Sequence, residues 1–422
     1  MDELAILGGK PVRDRPFPAW PVYDDTEEAL LIDVLRSRNW GQSVGLGPKS
    51  EELSMRFAAF CGVQYAIPVT NCTSALIVSL QAAGAGPGDE VIVPAYTFVA
   101  TAFAALIAGA SVRFVDIDPS TFCVDPEEVR NAINERTKAI IPVHLGGTPA
   151  DMRKLVEIAS QHGISIIEDC AQAHGATLDN APVGSFGTAG CFSFHQTKNI
   201  ACGEGGMITT DDAGVAELCG YELTKFGRQK GGYLHAHQTV AGNYGITEFQ
   251  AAILLAQLDR NAMLSTRRSE NAQYLRDQLL QVEGLTPTEQ TPGTTYSANH
   301  VFFMKYDQTR FADCPRKVFV EALNAEGIPA KSLYPMPIYR QPAIATRTVQ
   351  TKDMLTGSCY VESCPNAERI SGREAIALPQ NILIGERSDI DSVIDAINKV
   401  LGNLDKVTKD SALNMCLEQG LS

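Results

Sequence analysis

Short apolar runs rich in β-branched residues alternate with helix-like segments through the middle of the chain. Runs of this kind fit buried strands, and a strand–helix–strand alternation builds a mostly parallel sheet with helices on both faces. Three intervening segments have helical spacing and end in glycine, a common helix terminator: 73–84, 97–109 and 149–163. The alternation therefore predicts an α/β fold. The runs are YAIPV (65–69), VIVPAY (91–96), VRFVDI (112–117), AIIPVHL (139–145), ISIIEDC (164–170), GCFSF (190–194) and MITTD (207–211).

The pattern changes after residue 243, where alternation gives way to longer helical spacing. The spacing predicts a long helix over 248–284, a strand over 300–306 and helices near 315–326 and 387–403. We expect a large domain with an N-terminal arm at 1–265, a smaller C-terminal α+β domain at 266–404, and a flexible polar tail at 405–422.

Composition excludes several classes of partner. The 422 residues include 35 Lys and Arg against 49 Asp and Glu, a net charge of -14. That charge repels nucleic-acid phosphates, and the sequence has no basic stripe. No stretch reaches the about 18 apolar residues of a membrane helix, and the N-terminus lacks a secretory signal pattern. Eleven irregularly spaced cysteines without a CxxC pair favour reduced thiols over disulfides or a metal site. We expect a cytoplasmic protein that binds small molecules, but neither nucleic acid nor membrane nor metal.

Polar residues follow the predicted strands at the edge where parallel sheets bind ligands. Asp169 ends the run at 164–170, and a buried acid at such a position needs a partner. One interpretation is a structural acid or helix cap. The other is a carboxylate that keeps a heteroaromatic nitrogen protonated, as an electron-sink cofactor requires. Asp169 by itself leaves both interpretations open.

Lys198 follows a second predicted strand. Most lysines are solvated, but Lys198 lies between an apolar strand and the glycine-rich segment CGEGGMITT (202–210). A lysine beside an apolar pocket has a lowered pKa and can form a Schiff base. An aspartate followed about thirty residues later by a lysine, with Ser193 and His195 just before it, is the arrangement expected of a pyridoxal-phosphate enzyme.

Such a cofactor would need protein contacts for its phosphate and for its flat ring. The segment TNCTSAL (70–76) offers hydroxyls and backbone N–H groups at a helix start, which is an anion site or an ordinary capped helix. We choose Thr73 and Ser74, with Ser193 adding a hydroxyl from the neighbouring strand end. Tyr96 or Phe98 could stack on a heterocycle, although an aromatic residue there is more often part of the core.

Four segments, in their order and spacing, resemble the StrS/DegT family of sugar aminotransferases, which are fold type I pyridoxal-phosphate enzymes. The resemblance covers about residues 10–404, and its most specific motif is SFHxxKNxxxGEGG. The segments are TNCTSAL, EDCAQAHGA (168–176), SFHQTKNIACGEGGMITTDD (193–212) and GNYGITEFQAAILLAQL (242–258).

The resemblance implies a role for each matching residue. Lys198 would bind the cofactor covalently, Asp169 would pair with its pyridine nitrogen, and His195 matches the family histidine beside the lysine. Family members are usually homodimers, in which the residue equivalent to Asn243 reaches the partner's phosphate. The remaining implied cofactor contacts are Gln172 to the ring hydroxyl, Phe98 to the ring face, and Thr73, Ser74 and Ser193 to the phosphate.

Within this family, the chain most resembles the branch that aminates cyclitols, which includes glutamine:scyllo-inosose aminotransferases. It rests on the segments at 11–25, 141–152, 364–370 and 378–385. It implies amino transfer from glutamine or glutamate to a keto sugar or ketocyclitol in aminocyclitol antibiotic biosynthesis. The alternatives are a dehydratase or lyase of the same fold, or an enzyme similar to aminohydroxybenzoate synthases. Some dehydratase relatives carry histidine in place of the lysine, so Lys198 favours amino transfer.

Overall fold

The computed structural model describes residues 3–41, 46–227, 237–345 and 358–409. The helices of these ranges are α1 Asp25–Ser37, α2 Pro48–Cys61, α3 Cys72–Ala82, α4 Ala100–Ile107, α5 Pro126–Ala132, α6 Met152–His162, α7 Ala213–Glu217, α8 Glu248–Leu279, α9 Arg316–Ala325, α10 Pro342–Ala345, α11 Pro365–Arg369, α12 Arg387–Leu401 and α13 Leu404–Lys409. The strands are β1 Tyr65–Val69, β2 Glu90–Pro94, β3 Ser111–Val115, β4 Thr137–Ile140, β5 Ser165–Asp169, β6 Thr177–Leu178, β7 Ala181–Pro182, β8 Ala189–Ser193, β9 Gly206–Thr210, β10 Leu285–Pro287, β11 Thr294–Tyr296, β12 Val301–Tyr306, β13 Cys359–Val361 and β14 Ala375–Pro379.

Eight of the described strands form the central sheet, in the order β1-β9-β8-β5-β4-β2-β3-β13. Neighbours from β8 to β13 run parallel, whereas β9 runs antiparallel to both β1 and β8. Each of the seven apolar runs contributes one of these strands, and helices such as α3, α4 and α6 provide the crossovers. The predicted α/β fold with a mostly parallel sheet is confirmed.

Burial explains why the central strands of this sheet are largely apolar. All five residues of β2 and of β8 are buried, so neither strand has a polar face. Helix α3 is also buried along most of its length, since only a few of its residues reach solvent. Its N-terminus, which follows β1, therefore lies inside the protein at the edge where the parallel strands end.

A second, antiparallel sheet in the order β10-β12-β14 belongs to the C-terminal part of the chain. Its apolar residues pack with those of α8, α9 and α12 in a separate buried cluster. Three features cross the predicted division at residue 265, and the first is helix α8, Glu248–Leu279. Leu4 belongs to the C-terminal cluster, and β13 belongs to the central sheet. The domain limits stay a prediction.

Two further expectations concern the C-terminal tail and membrane-spanning helices. Helix α13 includes the first residues of the predicted flexible tail, and 410–422 lie outside the described residues. None of the helices in the described ranges is both long enough and apolar enough to cross a membrane.

Candidate active site

A cavity of about 730 Å³ lies where the parallel strands β2, β5 and β8 end. This volume is within the range of small-molecule sites. Seven of the sequence-predicted site residues line it: Thr73, Phe98, Asp169, Gln172, Ser193, His195 and Lys198. Residues from the C-terminal part also line it, among them Lys331, Leu333 and Tyr334.

Asp169 ends β5 with a buried carboxylate that is held in one orientation. The Thr101 hydroxyl donates to Oδ2 at 2.9 Å, and the Ala171 backbone N–H donates to Oδ1 at 3.1 Å. Burial raises the pKa of the Asp169 carboxyl above its usual value, although both hydrogen bonds and the charge of Lys198 act in the opposite direction. The structure therefore presents a fixed acid at the cavity.

Lys198 lies in the loop that connects β8 to β9. The loop is closed by backbone hydrogen bonds from Cys202 to Phe194 and from Gln196 to Gly203, both at 2.9 Å. The neighbouring Asn199 anchors the loop, because its side chain donates to the Ala298 carbonyl at 2.7 Å. Burial lowers the pKa of the Lys198 amine, and the charge of Asp169 offsets part of this effect. Both pKa shifts have the direction that burial of a charged group dictates.

Backbone conformation and close packing explain why glycine occupies two positions of this loop. Gly203 has a φ of 92°, in the left-handed region that favours glycine. Gly206 begins β9 directly against the start of α3, where an added Cβ would lie 2.4 Å from the backbone carbon of Asn71. The motif thus brings the lysine loop and the α3 N-terminus together.

The N-terminus of α3 is capped by Asn71, whose side chain accepts from the Ser74 N–H at 2.8 Å. The backbone N–H groups of Cys72 and Thr73 have no acceptor among the described residues. Thr73 lines the cavity, but Ser74 does not, and the Thr70 hydroxyl donates to the Ser74 hydroxyl at 3.1 Å. An anion at this end of the cavity would therefore meet Thr73 before Ser74.

Phe98 and Gln172 are two further side chains of the cavity lining. Phe98 is 57% exposed and lies at the cavity mouth, whereas Tyr96 is buried in the core and donates to the Leu333 carbonyl at 3.0 Å. Gln172 accepts from the Gly146 N–H at 2.8 Å and donates to the Tyr334 hydroxyl at 3.1 Å. Of the two aromatic candidates, the structure brings Phe98 to the cavity.

Asn243 is exposed and does not line this chain's own cavity. Its segment runs beside the end of β1, where the Thr70 N–H donates to the Tyr244 carbonyl at 2.9 Å. Of the segment 225–238, which carries five Lys, Arg and His residues, 228–236 lie outside the described residues.

Sequence reasoning missed several residues of the cavity. His195 contacts the Thr197 hydroxyl at 2.9 Å and lies 3.9 Å from the carboxylate of Glu204, which also lines the wall. Thr101 does not line the cavity itself but contacts Asp169; it lies three residues after Phe98, so the sequence could have suggested it. Tyr334 and Lys331 come from a distant segment with no motif of its own.

Residues 22–398 match the profile of the DegT/DnrJ/EryC1/StrS aminotransferase family. The chain belongs to this family. It is an aminotransferase, as the sequence predicted, and the resemblance of its motifs is confirmed.

Curated relatives of this aminotransferase cover nearly its whole length. An L-glutamine:scyllo-inosose aminotransferase of Streptomyces griseus is 35% identical over 425 residues, which is 96% of this chain and 99% of that one. An L-glutamine:2-deoxy-scyllo-inosose aminotransferase of Streptomyces kanamyceticus is 36% identical, covering 94% of this chain and 96% of that one. The predicted similarity to the cyclitol branch is therefore confirmed.

Solved structures of the family share the fold of this aminotransferase. 3-Amino-5-hydroxybenzoic acid synthase superposes with a TM-score of 0.83 at 30% identity, covering 93% of this chain and all of that one. DesI, solved in the presence of its TDP-sugar product, also has a TM-score of 0.83, at 28% identity over 96% of this chain and 98% of that one. The fold type I assignment is confirmed.

Proposed function

We propose that this aminotransferase uses pyridoxal 5′-phosphate to move an amino group from glutamine or glutamate to a ketocyclitol or keto sugar in aminocyclitol antibiotic biosynthesis. The observation that carries the proposal is that Lys198 and Asp169 line one cavity, each with a pKa shifted by burial. The acceptor class rests on the relatives that aminate inososes over nearly the full chain.

The residues of the cavity fit the groups of pyridoxal phosphate. Its aldehyde needs an uncommitted amine, and Lys198 Nζ has no hydrogen-bond or ion-pair partner among the described residues. Its phosphate needs donors, which the free N–H groups of Cys72 and Thr73 and the Ser193 hydroxyl offer. Its ring nitrogen needs a buried acceptor, which Asp169 provides. When bound, this cofactor supplies an electron sink and a carrier for the amine.

The mechanism follows from what the protein residues do. The lowered pKa of Lys198 increases the fraction of unprotonated amine at neutral pH, so Nζ would hold the cofactor through its aldehyde and would carry a proton as base and acid. Asp169 would hold a proton on the heteroaromatic nitrogen, and Thr101 fixes its carboxylate. Gln172, held by Gly146 and Tyr334, keeps its carboxamide at the wall. Since donor and acceptor use one cavity in turn, we expect ping-pong kinetics.

The proposal is tested with purified protein and pyridoxal phosphate. The wild type should gain a visible absorbance band, and borohydride should fix the cofactor to the protein. Lys198→Ala should lose both, and borohydride-fixed cofactor on that variant would rule out the assigned lysine. A panel of keto sugars and ketocyclitols with α-¹⁵N-glutamine, read by mass spectrometry, then identifies the acceptor. Turnover of a keto sugar without amine transfer would instead favour the dehydratase or lyase alternative.

The assembly and location complete the proposal. We propose a homodimer because the family resemblance implies that Asn243 reaches the partner's phosphate, and Asn243 is exposed and does not line its own chain's cavity. Light scattering after size exclusion should give twice the mass of the chain, and a monomer with full activity would contradict this role. A cytoplasmic location stays a prediction from the sequence.

A further inference from the structure

The C-terminal wall of the cavity carries a lysine that the mechanism does not use. Lys331 lines the same cavity as Lys198 and is exposed. Among the described residues, no carboxylate lies within ion-pair distance of its ammonium group, and no side chain hydrogen bonds to it. A solvated lysine on an outer surface needs no partner, but this one is at the rim of a substrate cavity.

The other basic groups of the cavity are already engaged. His195 hydrogen bonds to Thr197 and faces Glu204. His300 contacts the Asn199 side chain at 3.1 Å, and burial lowers its pKa, so it is neutral. Lys198 is committed to the proton transfers. Lys331 is therefore the cation of the described cavity wall that remains available to an anionic ligand.

The segment that carries Lys331 is held rigidly at three points. The Lys331 backbone exchanges hydrogen bonds with Ala377 of β14 at 3.0 and 2.8 Å. The Leu333 carbonyl accepts from Tyr96, and the Tyr334 hydroxyl accepts from Gln172. Tyr334 has a φ of 53°, an unfavourable conformation for an aromatic residue, which the anchors maintain. A segment fixed in this way presents its lysine with little loss of backbone entropy on binding.

The two substrates of the proposed reaction differ in charge. Glutamine and glutamate carry an α-carboxylate, whereas a ketocyclitol is neutral. We propose, resting on the proposed function, that Lys331 binds the α-carboxylate of the amino donor and so orients its Cα–H bond toward Lys198. The acceptor makes no ion pair with Lys331. The lysine thus selects an amino acid for the first half-reaction without contributing to the second.

The assignment separates the two half-reactions. In the enzyme loaded with pyridoxal phosphate, Lys331→Met should raise the apparent dissociation constant of L-glutamine, read from the absorbance change, by about 10- to 100-fold. Lys331→Arg should recover most of this loss. The KM of the acceptor should be unchanged. Lys138→Met, at an exposed lysine of β4 outside the cavity, is the matched control and should behave as the wild type.

A donor without the carboxylate provides a second measurement. L-Glutaminol should bind the wild type about 10- to 100-fold more weakly than L-glutamine, and Lys331→Met should abolish that difference. Equal effects of the substitution on glutamine and glutaminol, or on donor and acceptor, would overturn the assignment while leaving amino transfer intact. If the wild type takes no amine from glutamine or glutamate, the proposed function fails, and the role of Lys331 fails with it.

Discussion

Two adjacent acids at the end of β5 should respond in opposite ways when their charge is removed. Glu168 is fully buried and accepts four hydrogen bonds. Its Oε1 accepts from the Phe186 and Gly187 N–H groups at 2.8 and 2.9 Å, and its Oε2 accepts from the Gly184 N–H at 2.8 Å. The fourth partner is His144 Nε2 at 3.1 Å. The structure therefore makes Glu168 a structural acid.

The loss of stability expected for Glu168→Gln follows from these hydrogen-bond partners. The Ala150 N–H donates to His144 Nδ1, so Nε2 of the neutral ring carries the proton and donates to Glu168. The glutamine amide oxygen can replace Oε1, but its NH₂ group then faces two other donors. Two hydrogen bonds to a charged group are lost in a dry site, at about 1.5–3 kcal/mol each. We expect a loss of about 3–6 kcal/mol in the free energy of unfolding.

Asp169→Asn should have the opposite effect on the protein without cofactor. Because burial raises its pKa in the folded state, the ionised carboxylate destabilises the fold at pH values above that raised pKa. The stability gain from Asn is therefore present at neutral pH and disappears as the pH falls to the ordinary aspartate pKa. With cofactor bound, this variant should lose most of its turnover.

The assay is urea unfolding of both variants without cofactor at neutral pH, followed by turnover of the loaded enzymes. Glu168→Gln should shift the urea midpoint down and keep most of the turnover per folded molecule. A Glu168→Gln midpoint equal to that of the wild type would refute the count of lost hydrogen bonds. Unchanged turnover in Asp169→Asn would refute its assignment to the ring nitrogen.

Three further changes test the site. Lys198→Met should raise the urea midpoint of the cofactor-free protein, because burial lowers the Lys198 pKa and so penalises the charged amine. The gain in stability is largest below that lowered pKa and shrinks as the pH rises to the ordinary lysine pKa. A gain that does not depend on pH would contradict this explanation. Thr101→Val removes a hydrogen bond that lowers the Asp169 pKa, so the acidic limb of the kcat/KM profile should move to higher pH. Asn71→Ala removes the α3 cap and should lower the free energy of unfolding by about 1 kcal/mol, whereas Asn71→Asp should retain it.

The elements of the central sheet were predictable because burial on both faces leaves a continuous apolar run. The run at 65–69 coincides with β1, and that at 164–170 contains β5. The reversed direction of β9 could not be read from its run, since a fully buried strand has the same composition in either direction. The strand β13 is three residues long, too short for a period to appear.

The candidate site was predictable where its residues lie in contiguous motifs. Lys198 and Asp169 each follow an apolar run at the ligand-binding edge, and the structure places both at one cavity. Ser74 illustrates the limit, because helix phase turns its hydroxyl toward Thr70 and away from the cavity. Lys331 and Tyr334 were missed because they reach the cavity through tertiary packing on β14 and Gln172.

The pairing of β13 with β3 has a consequence for synthesis of the chain. The Ser358 N–H donates to the Ser111 hydroxyl 247 positions away, at the beginning of this pairing. Until those late residues leave the ribosome, the nascent sheet has β3 as an open border whose backbone groups can pair with another copy. Translation of the C-terminal part thus replaces the five-residue border β3 with the three-residue edge strand β13, which offers fewer backbone groups to another copy.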